Sequence, residues 1–207
     1  MHTTHMQALG VGAPNSGVYY PHPYWTEEGF IQSPCVDLGE GPMPPTLDEA
    51  ATALGCYAHA EALHMGANIS DVPALRLVLR KAMADANVRI VANFYRAAAD
   101  QEGYGHFSPL AAYNPGTTCA LSAVSEHSLV ASHCSALCAA FPLPLGCATH
   151  SLRYRKIPDA DKVLLLDVAR YKYPPTWFPT AVLFAALNTT DSGSGVTRGL
   201  VRVRAGT

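Results

Sequence analysis

The feature that most constrains the fold is the stretch 163–177, VLLLDVARYKYPPTW. It opens with four apolar residues, as expected of a strand that is buried on both faces. Asp167 follows inside the apolar run, and Pro174-Pro175 end the strand and impose an extended exit. A buried carboxylate is costly unless a cation or hydrogen-bond donors meet it. Identifying the partner of Asp167 is therefore the first step towards a function.

Two kinds of partner are compatible with the sequence. Arg170 and Lys172 lie nearby in the chain and would form a simple ion pair. His106 begins another predicted strand, after two glycines that allow a close backbone approach. A histidine held by a buried carboxylate is the base and orienter of a nucleophilic triad. The pattern alone leaves both interpretations open, since most strand histidines are structural.

The order of the predicted elements indicates an α+β fold, with helices first and strands later. Thr46 and Glu49 form a capping box that begins an Ala-rich helix running to about Met65. We expect the strand 163–170 to pair with the strand 105–113. The other predicted elements are helices at about 72–85 and 180–187 and strands at 88–94 and 200–204.

Composition excludes several classes of protein. The chain has 207 residues and a net charge of -2, which predicts one domain and gives no basic surface for nucleic acid. No apolar run reaches the roughly 18 residues of a membrane span. The N-terminus has no signal-peptide pattern. We therefore expect a soluble cytoplasmic protein, and its six cysteines are expected to be free thiols.

Two long motifs resemble those of the phytochelatin synthases, which are papain-like glutathione gamma-glutamylcysteinyltransferases. They are GHFSPLAAY (105–113) and LLLDVARYKYPPTWFP (164–179). Shorter similarities are NTTDSGSGVTRGL (188–200), ALHMGAN (62–68) with His64 where a cysteine is usual, and the region around Cys35. The resemblance covers about 150 residues and implies one catalytic domain over 1–207. It further implies a papain-like cysteine-peptidase fold, with a helical N-terminal part packed on an antiparallel sheet.

The resemblance also implies a role for individual residues. His106 matches the general base and Asp167 its orienter. Asp191 and Arg198 match residues that hold the gamma-glutamylcysteine unit, whose free amino group and carboxylate suit one acid and one guanidinium. Arg170 is expected to aid substrate binding or to brace Asp167.

The reaction implied is transfer of gamma-glutamylcysteine from glutathione to a second glutathione or to a phytochelatin, as used in heavy-metal detoxification. Cadmium, zinc or copper would act as a glutathione thiolate complex, and no organic cofactor is expected. The partners are therefore glutathione and phytochelatin peptides, and the resemblance allows a homodimer. The alternatives are a non-catalytic protein that binds metals or thiol peptides, and a peptidase-like member that only releases glycine.

The chain departs from the family pattern at its start. The family's nucleophilic cysteine lies in a C-G-x-A-S/T-L motif where a helix begins, and the helix terminus lowers the pKa of the thiol. The segment 6–14, MQALGVGAP, resembles the end of that helix. Counting back about 10 residues, a helix of under three turns, runs past Met1. We therefore expect this chain to lack the nucleophile and to be nearly inactive alone.

A second departure lies between His106 and Asp167, which are 61 positions apart. The family spacing is only about 18 residues, the length of a strand-turn-strand unit. The surplus is an insert at about 115–158 that carries four cysteines. One interpretation is a metal-binding insert with Cys134, Cys138, Cys147 and His150 as weak candidate ligands. The other, which the abrupt change in composition favours, is a non-native stretch such as a translated intron or gene-model error.

Overall fold

The structure, a computed structural model, describes residues 9–13, 35, 45–116, 161–169 and 171–205. Except for Gly116, these residues belong to one compact unit, which is formed by Met1–Pro115 and Asp161–Thr207. The predicted metal ligands Cys134, Cys138, Cys147 and His150 lie outside the described residues, and so does Arg170. The role of the insert and the single-domain organisation therefore stay predictions.

The described residues form three α-helices, one 3₁₀ helix and six strands, which confirms the α+β class. The helices are α1 (Leu47–Gly55), α2 (Val72–Ala84) and α3 (Thr180–Leu187), and the 3₁₀ helix is Arg96–Ala99. The strands are β1 (His59–His64), β2 (Val88–Tyr95), β3 (Gly105–Asn114), β4 (Lys162–Leu165), β5 (Thr176–Pro179) and β6 (Gly199–Arg204).

All six strands form one antiparallel sheet in the order β1-β6-β2-β3-β4-β5. The predicted pairing of the strand after residue 162 with the strand from Gly105 is confirmed, with Leu110 opposite Leu165. The predicted extent of that strand is wrong, because β4 ends at Leu165. Asp167 therefore lies in the irregular segment that follows β4, where its carboxylate reaches groups from neighbouring elements.

The predicted helix from Thr46 to about Met65 is also too long. It ends at Gly55, and the segment from His59 to His64 is a strand paired with β6. Alanine and leucine favour a helix locally, but pairing with a distant strand outweighs that preference here. Gly199 makes the pairing close, because a β-carbon at that position would lie 2.0 Å from the carbonyl oxygen of Leu63.

The centre of the sheet is buried on both faces, which explains why β2 is almost wholly apolar. One face packs on α2 and α3 through a cluster that includes Ile90, Phe94 and Leu165. The other face packs on α1 through a cluster that includes Val91 and Phe107. Side chains alternate between these faces along each strand, so the strand ends can present neighbouring residues to different surroundings.

The start of α1 is fixed by the predicted capping box. The Thr46 hydroxyl accepts a hydrogen bond from the Glu49 amide at 3.3 Å, and the Thr46 amide donates to the Glu49 carboxylate at 2.7 Å. At the other end of the helix, Cys56 is disulfide-bonded to Cys35. The expectation of free thiols is therefore wrong for this pair. None of the described helices has the length and apolar character needed to cross a membrane.

Candidate functional site

The main partner of Asp167 is Arg96, which follows β2 in the 3₁₀ helix. Its Nη1 donates to Oδ2 of Asp167 at 2.8 Å, and its Nη2 donates to Oδ1 at 2.9 Å. The Ala169 amide also donates to Oδ1, at 2.8 Å. Asp167 is 1% exposed and Arg96 is 6% exposed, so both charges are removed from water. A two-pronged pair of this kind compensates the buried carboxylate and fixes its plane.

His106, the second residue of β3, is the other group at this carboxylate. Its Nε2 lies 3.3 Å from Oδ1 of Asp167. That distance is within ion-pair range, but Nε2 is buried without a well-aligned hydrogen bond from the described residues. The contact is therefore mainly electrostatic. The ring also meets Phe94 edge to face, with centroids 6.0 Å apart.

The charges at the site keep the carboxylate ionised and the imidazole neutral. Burial alone would raise the pKa of Asp167, but hydrogen bonds from Arg96 and Ala169 hold that pKa below its ordinary value. Burial, and then repulsion by the Arg96 cation, lower the pKa of His106 in spite of the attraction of Asp167. A neutral histidine whose Nε2 faces a carboxylate carries its proton there and leaves Nδ1 as a base.

The sequence-based alternative of an ion pair between Asp167 and Lys172 is wrong. Lys172 instead lies 2.7 Å from the Glu102 carboxylate, at the surface. Sequence reasoning also missed Arg96, which is 71 positions from its partner. The available signal was the arginine directly after a buried strand, since a buried carboxylate needs a cation.

Asp191 and Arg198 are brought together by the loop between α3 and β6. Nη1 of Arg198 lies 3.3 Å from Oδ2 of Asp191, and it donates to Oδ1 of Asn93 at the same distance. The loop is closed by a bridge between Thr190 and Thr197. Its turn is supported by the Gly193 amide, which donates to Oδ1 of Asp191 at 3.1 Å.

Asp191, Arg198, Asn93 and Gly193 line a pocket of about 120 Å³. Its wall also includes Thr46 at the start of α1, Tyr104 and Gly105. His106 is not part of the wall, because alternation along β3 turns it towards Phe94, whereas Phe107 shares a face with Asn93. The pocket and the His106–Asp167 pair therefore adjoin consecutive residues of β3, Gly105 and His106, on opposite faces of the strand.

Two donors at the pocket are left without partners. Nδ2 of Asn93 and Nε of Arg198 are buried and receive no acceptor from the described residues. Buried donors in native proteins are usually satisfied, so unpaired ones indicate a missing acceptor. A ligand carboxylate would supply that acceptor, while Asp191 would accept from a ligand ammonium group.

His64 lies near the same loop, at the position where a cysteine was expected from the resemblance. Its Nδ1 is 2.5 Å from the Thr197 carbonyl oxygen, and its Nε2 is 3.1 Å from Oδ1 of Asp48. Burial lowers the pKa of His64, but these two acceptors together raise it above its ordinary value. When His64 is protonated, both ring nitrogens can donate to these acceptors. Protonation of His64 therefore strengthens the connection between α1 and the loop that carries Arg198.

Neither a metal centre nor a thiol nucleophile is found among the described residues. They contain no group of three or more His, Cys, Asp or Glu side chains arranged to hold a metal ion. Their two cysteines, Cys35 and Cys56, are bonded to each other. The candidate metal ligands in the insert and the expected absence of the nucleophile therefore stay predictions.

The fold and site define a class of α+β protein in which an antiparallel sheet places a histidine–carboxylate pair beside a pocket with an acid and a guanidinium. The phytochelatin synthase family model matches residues 2–123 and 156–200. The chain belongs to the phytochelatin synthase family.

Its curated relatives include glutathione gamma-glutamylcysteinyltransferase 1 from Triticum aestivum, which is 26% identical over 151 residues. The protein of the same name from Lotus japonicus is 27% identical over 155 residues. Glutathione gamma-glutamylcysteinyltransferase 2 from Arabidopsis thaliana is 25% identical over 151 residues. Each match covers 72% of this chain but only 22–24% of the relative, so the chain spans under a quarter of these proteins.

Proposed function

We propose that this chain carries the acyl-donor site of a glutathione gamma-glutamylcysteinyltransferase, on a papain-like fold. The observation that carries the proposal is the Asp191–Arg198 pair, which lies in a pocket lined by Gly105, the residue that precedes His106 of the His106–Asp167 pair. The family match supports the substrate class, and the names of the relatives support the reaction.

The pocket suits the gamma-glutamyl end of glutathione. That end carries an ammonium group and a carboxylate on one carbon, so it needs an acceptor and several donors close together. Asp191 supplies the acceptor, and the unpaired Nε of Arg198 and Nδ2 of Asn93 supply donors. The remainder of the peptide would extend past Gly105 towards His106.

The histidine pair suits the chemical step. A thiol would attack the carbonyl carbon of the Cys–Gly bond, and His106 Nδ1 would take the thiol proton and return it to the departing glycine amine. The resulting thioester would be cleaved by the amino group of a second glutathione. Metal ions would enter as the thiolate complex of that acceptor, and the attacking thiol is neither Cys35 nor Cys56.

Calorimetric titration of the whole chain tests the binding half of this proposal. We expect S-methyl gamma-glutamylcysteine to bind, and the isomer linked through the α-carboxyl to bind at least about tenfold more weakly, because its amino and carboxylate groups are separated. Arg198→Gln should abolish this preference. Arg202→Gln, which removes an exposed arginine paired with Glu61, is the matched control. Equal affinity for the two isomers would contradict the proposal.

Mass spectrometry after incubation with glutathione and cadmium tests the reaction. Gamma-glutamylcysteine polymers that disappear in His106→Gln would support the transferase and would refute the expectation that the chain lacks its nucleophile. Free gamma-glutamylcysteine without polymers would support the peptidase alternative. Because the chain is expected to lack the nucleophile, binding without any product is the result expected for the chain alone. Stoichiometric binding of zinc or cadmium that is lost when residues 115–158 are deleted would support the non-catalytic alternative.

A further inference from the structure

We propose that Arg96 is a positioning residue that grips both oxygens of Asp167, and thereby holds His106 with its proton on Nε2 and with Nδ1 free as the base. The consequence of this positioning for catalysis rests on the function proposed above. The contacts that support this positioning role are all between residues that the structure describes.

Arg96 is held as a rigid part of the site rather than as a surface charge. Its guanidinium stacks over the Tyr173 ring at 4.8 Å and also donates to the Gln101 side chain at 2.7 Å. Its stem packs against Gly103, where a β-carbon would lie 3.0 Å from Cδ and where φ is +116°. Glycine adopts that backbone conformation without strain, so position 103 is shaped to accommodate the arginine.

The arrangement at Oδ1 of Asp167 shows how Arg96 affects the histidine. This oxygen accepts from Arg96 Nη2 at 2.9 Å and from the Ala169 amide at 2.8 Å. His106 Nε2 is the third and most distant group, at 3.3 Å. The fork and the amide therefore hold the carboxylate plane more closely than the imidazole does. A carboxylate held in one plane selects one tautomer of the ring that faces it.

The charges around His106 also favour a neutral imidazole. The charged groups that face His106 are Asp167 and Arg96, and Arg198 lies behind the neighbouring Gly105. The ion pair is already neutral, so a protonated imidazole would add an uncompensated charge at a partly buried position. A neutral resting histidine is then able to accept the proton of a thiol.

Nuclear magnetic resonance of the whole chain with ¹⁵N-labelled histidine tests this inference without substrate. The chain has nine histidines, and the signal that is lost in His106→Gln identifies the ring of interest. In the unmodified chain we expect a neutral Nε2–H tautomer at pH 7 and a midpoint below that of a free histidine. In Arg96→Met, loss of the cation should raise the His106 midpoint by about 1 unit or more, because Asp167 is left to the histidine alone.

Two further variants keep the test decisive. Arg96→Lys retains the charge but loses the fork, so the midpoint should change less while the Nδ1–H tautomer becomes populated. Arg76→Met is the matched control, because it removes another arginine that grips a carboxylate with two nitrogens, that of Asp161. It should leave the His106 signal unchanged.

The inference fails if folded Arg96→Met or Arg96→Lys keeps both the midpoint and the tautomer of the unmodified chain. It also fails if Arg76→Met shifts them equally. These outcomes are separate from those for the proposed function, because loss of peptide binding would overturn that function and leave the histidine measurements standing.

Discussion

Gly105 and Arg198 are packed so closely that a β-carbon at position 105 would lie 2.5 Å from Nη1 of the arginine. The two residues come from β3 and from the loop before β6, and both line the pocket. The backbone of Gly105 has no unusual φ angle. The glycine is therefore required for space rather than for conformation, and it sets the depth at which the guanidinium lies.

Gly105→Ala should weaken peptide binding without unfolding the chain. The added methyl group pushes the buried guanidinium away from Asp191, so we expect at least about a tenfold loss of affinity for S-methyl gamma-glutamylcysteine. Calorimetry measures the affinity, and thermal unfolding reports the stability. Gly55→Ala is the control, since a β-carbon there meets nothing within 4 Å. Unchanged affinity in a folded Gly105→Ala variant would show that Arg198 does not bind the ligand.

Breaking the Cys35–Cys56 disulfide should destabilise the compact unit. The bond closes a loop with a sequence separation of 21, and loops of this size are associated with about 3 kcal/mol of stability. Urea unfolding with and without a reductant measures the change. Cys35→Ser is the control, because it cannot form the bond. The reductant should leave its urea midpoint unchanged. Peptide mapping that finds both cysteines alkylated in the unreduced protein would disprove the bond.

Periodicity and capping were enough to predict much of the fold. The capping box at Thr46, the helix from Val72 and the strands from Val88 and Gly105 are found where local patterns indicated. The error at His59–His64 has a long-range cause, because that strand is made by pairing with β6, which is more than a hundred residues later. Local propensity carries no information about such a partner.

The candidate site was predictable only in part. The need of Asp167 for a buried partner followed from its apolar surroundings, and the resemblance identified His106, Asp191 and Arg198. The structure brings these residues into two adjacent groups. Arg96 and Asn93 were missed because their roles depend on register, which places Asn93 opposite Phe107 on the pocket side of the sheet. For Asn93, the only local signal was a polar residue in an apolar strand.

Asp167→Asn should be strongly destabilising. The substitution leaves the buried Arg96 cation without a counter-charge, which typically costs about 3–5 kcal/mol. Urea denaturation monitored by circular dichroism measures the loss. Asp161→Asn is the control, because Asp161 also pairs with an arginine but is partly exposed, and we expect a loss of only about 1 kcal/mol. Similar losses for the two variants would contradict the claim that burial makes the Asp167 pair distinct.

The contact between His64 and Asp48 should make stability depend on pH. The pKa of His64 is raised in the folded state, so its protonation stabilises the fold fully below the unfolded value of about 6.5. That contribution is lost as the pH rises through the raised folded pKa. Asp48→Asn weakens the contact, so its stability should decline less than that of the unmodified chain from about pH 5.5 to pH 8. Thermal unfolding across this range measures the difference, with Glu61→Gln, which alters an exposed ion pair with Arg202, as the control. An equal or steeper decline in Asp48→Asn would show that the histidine is not stabilised by this carboxylate.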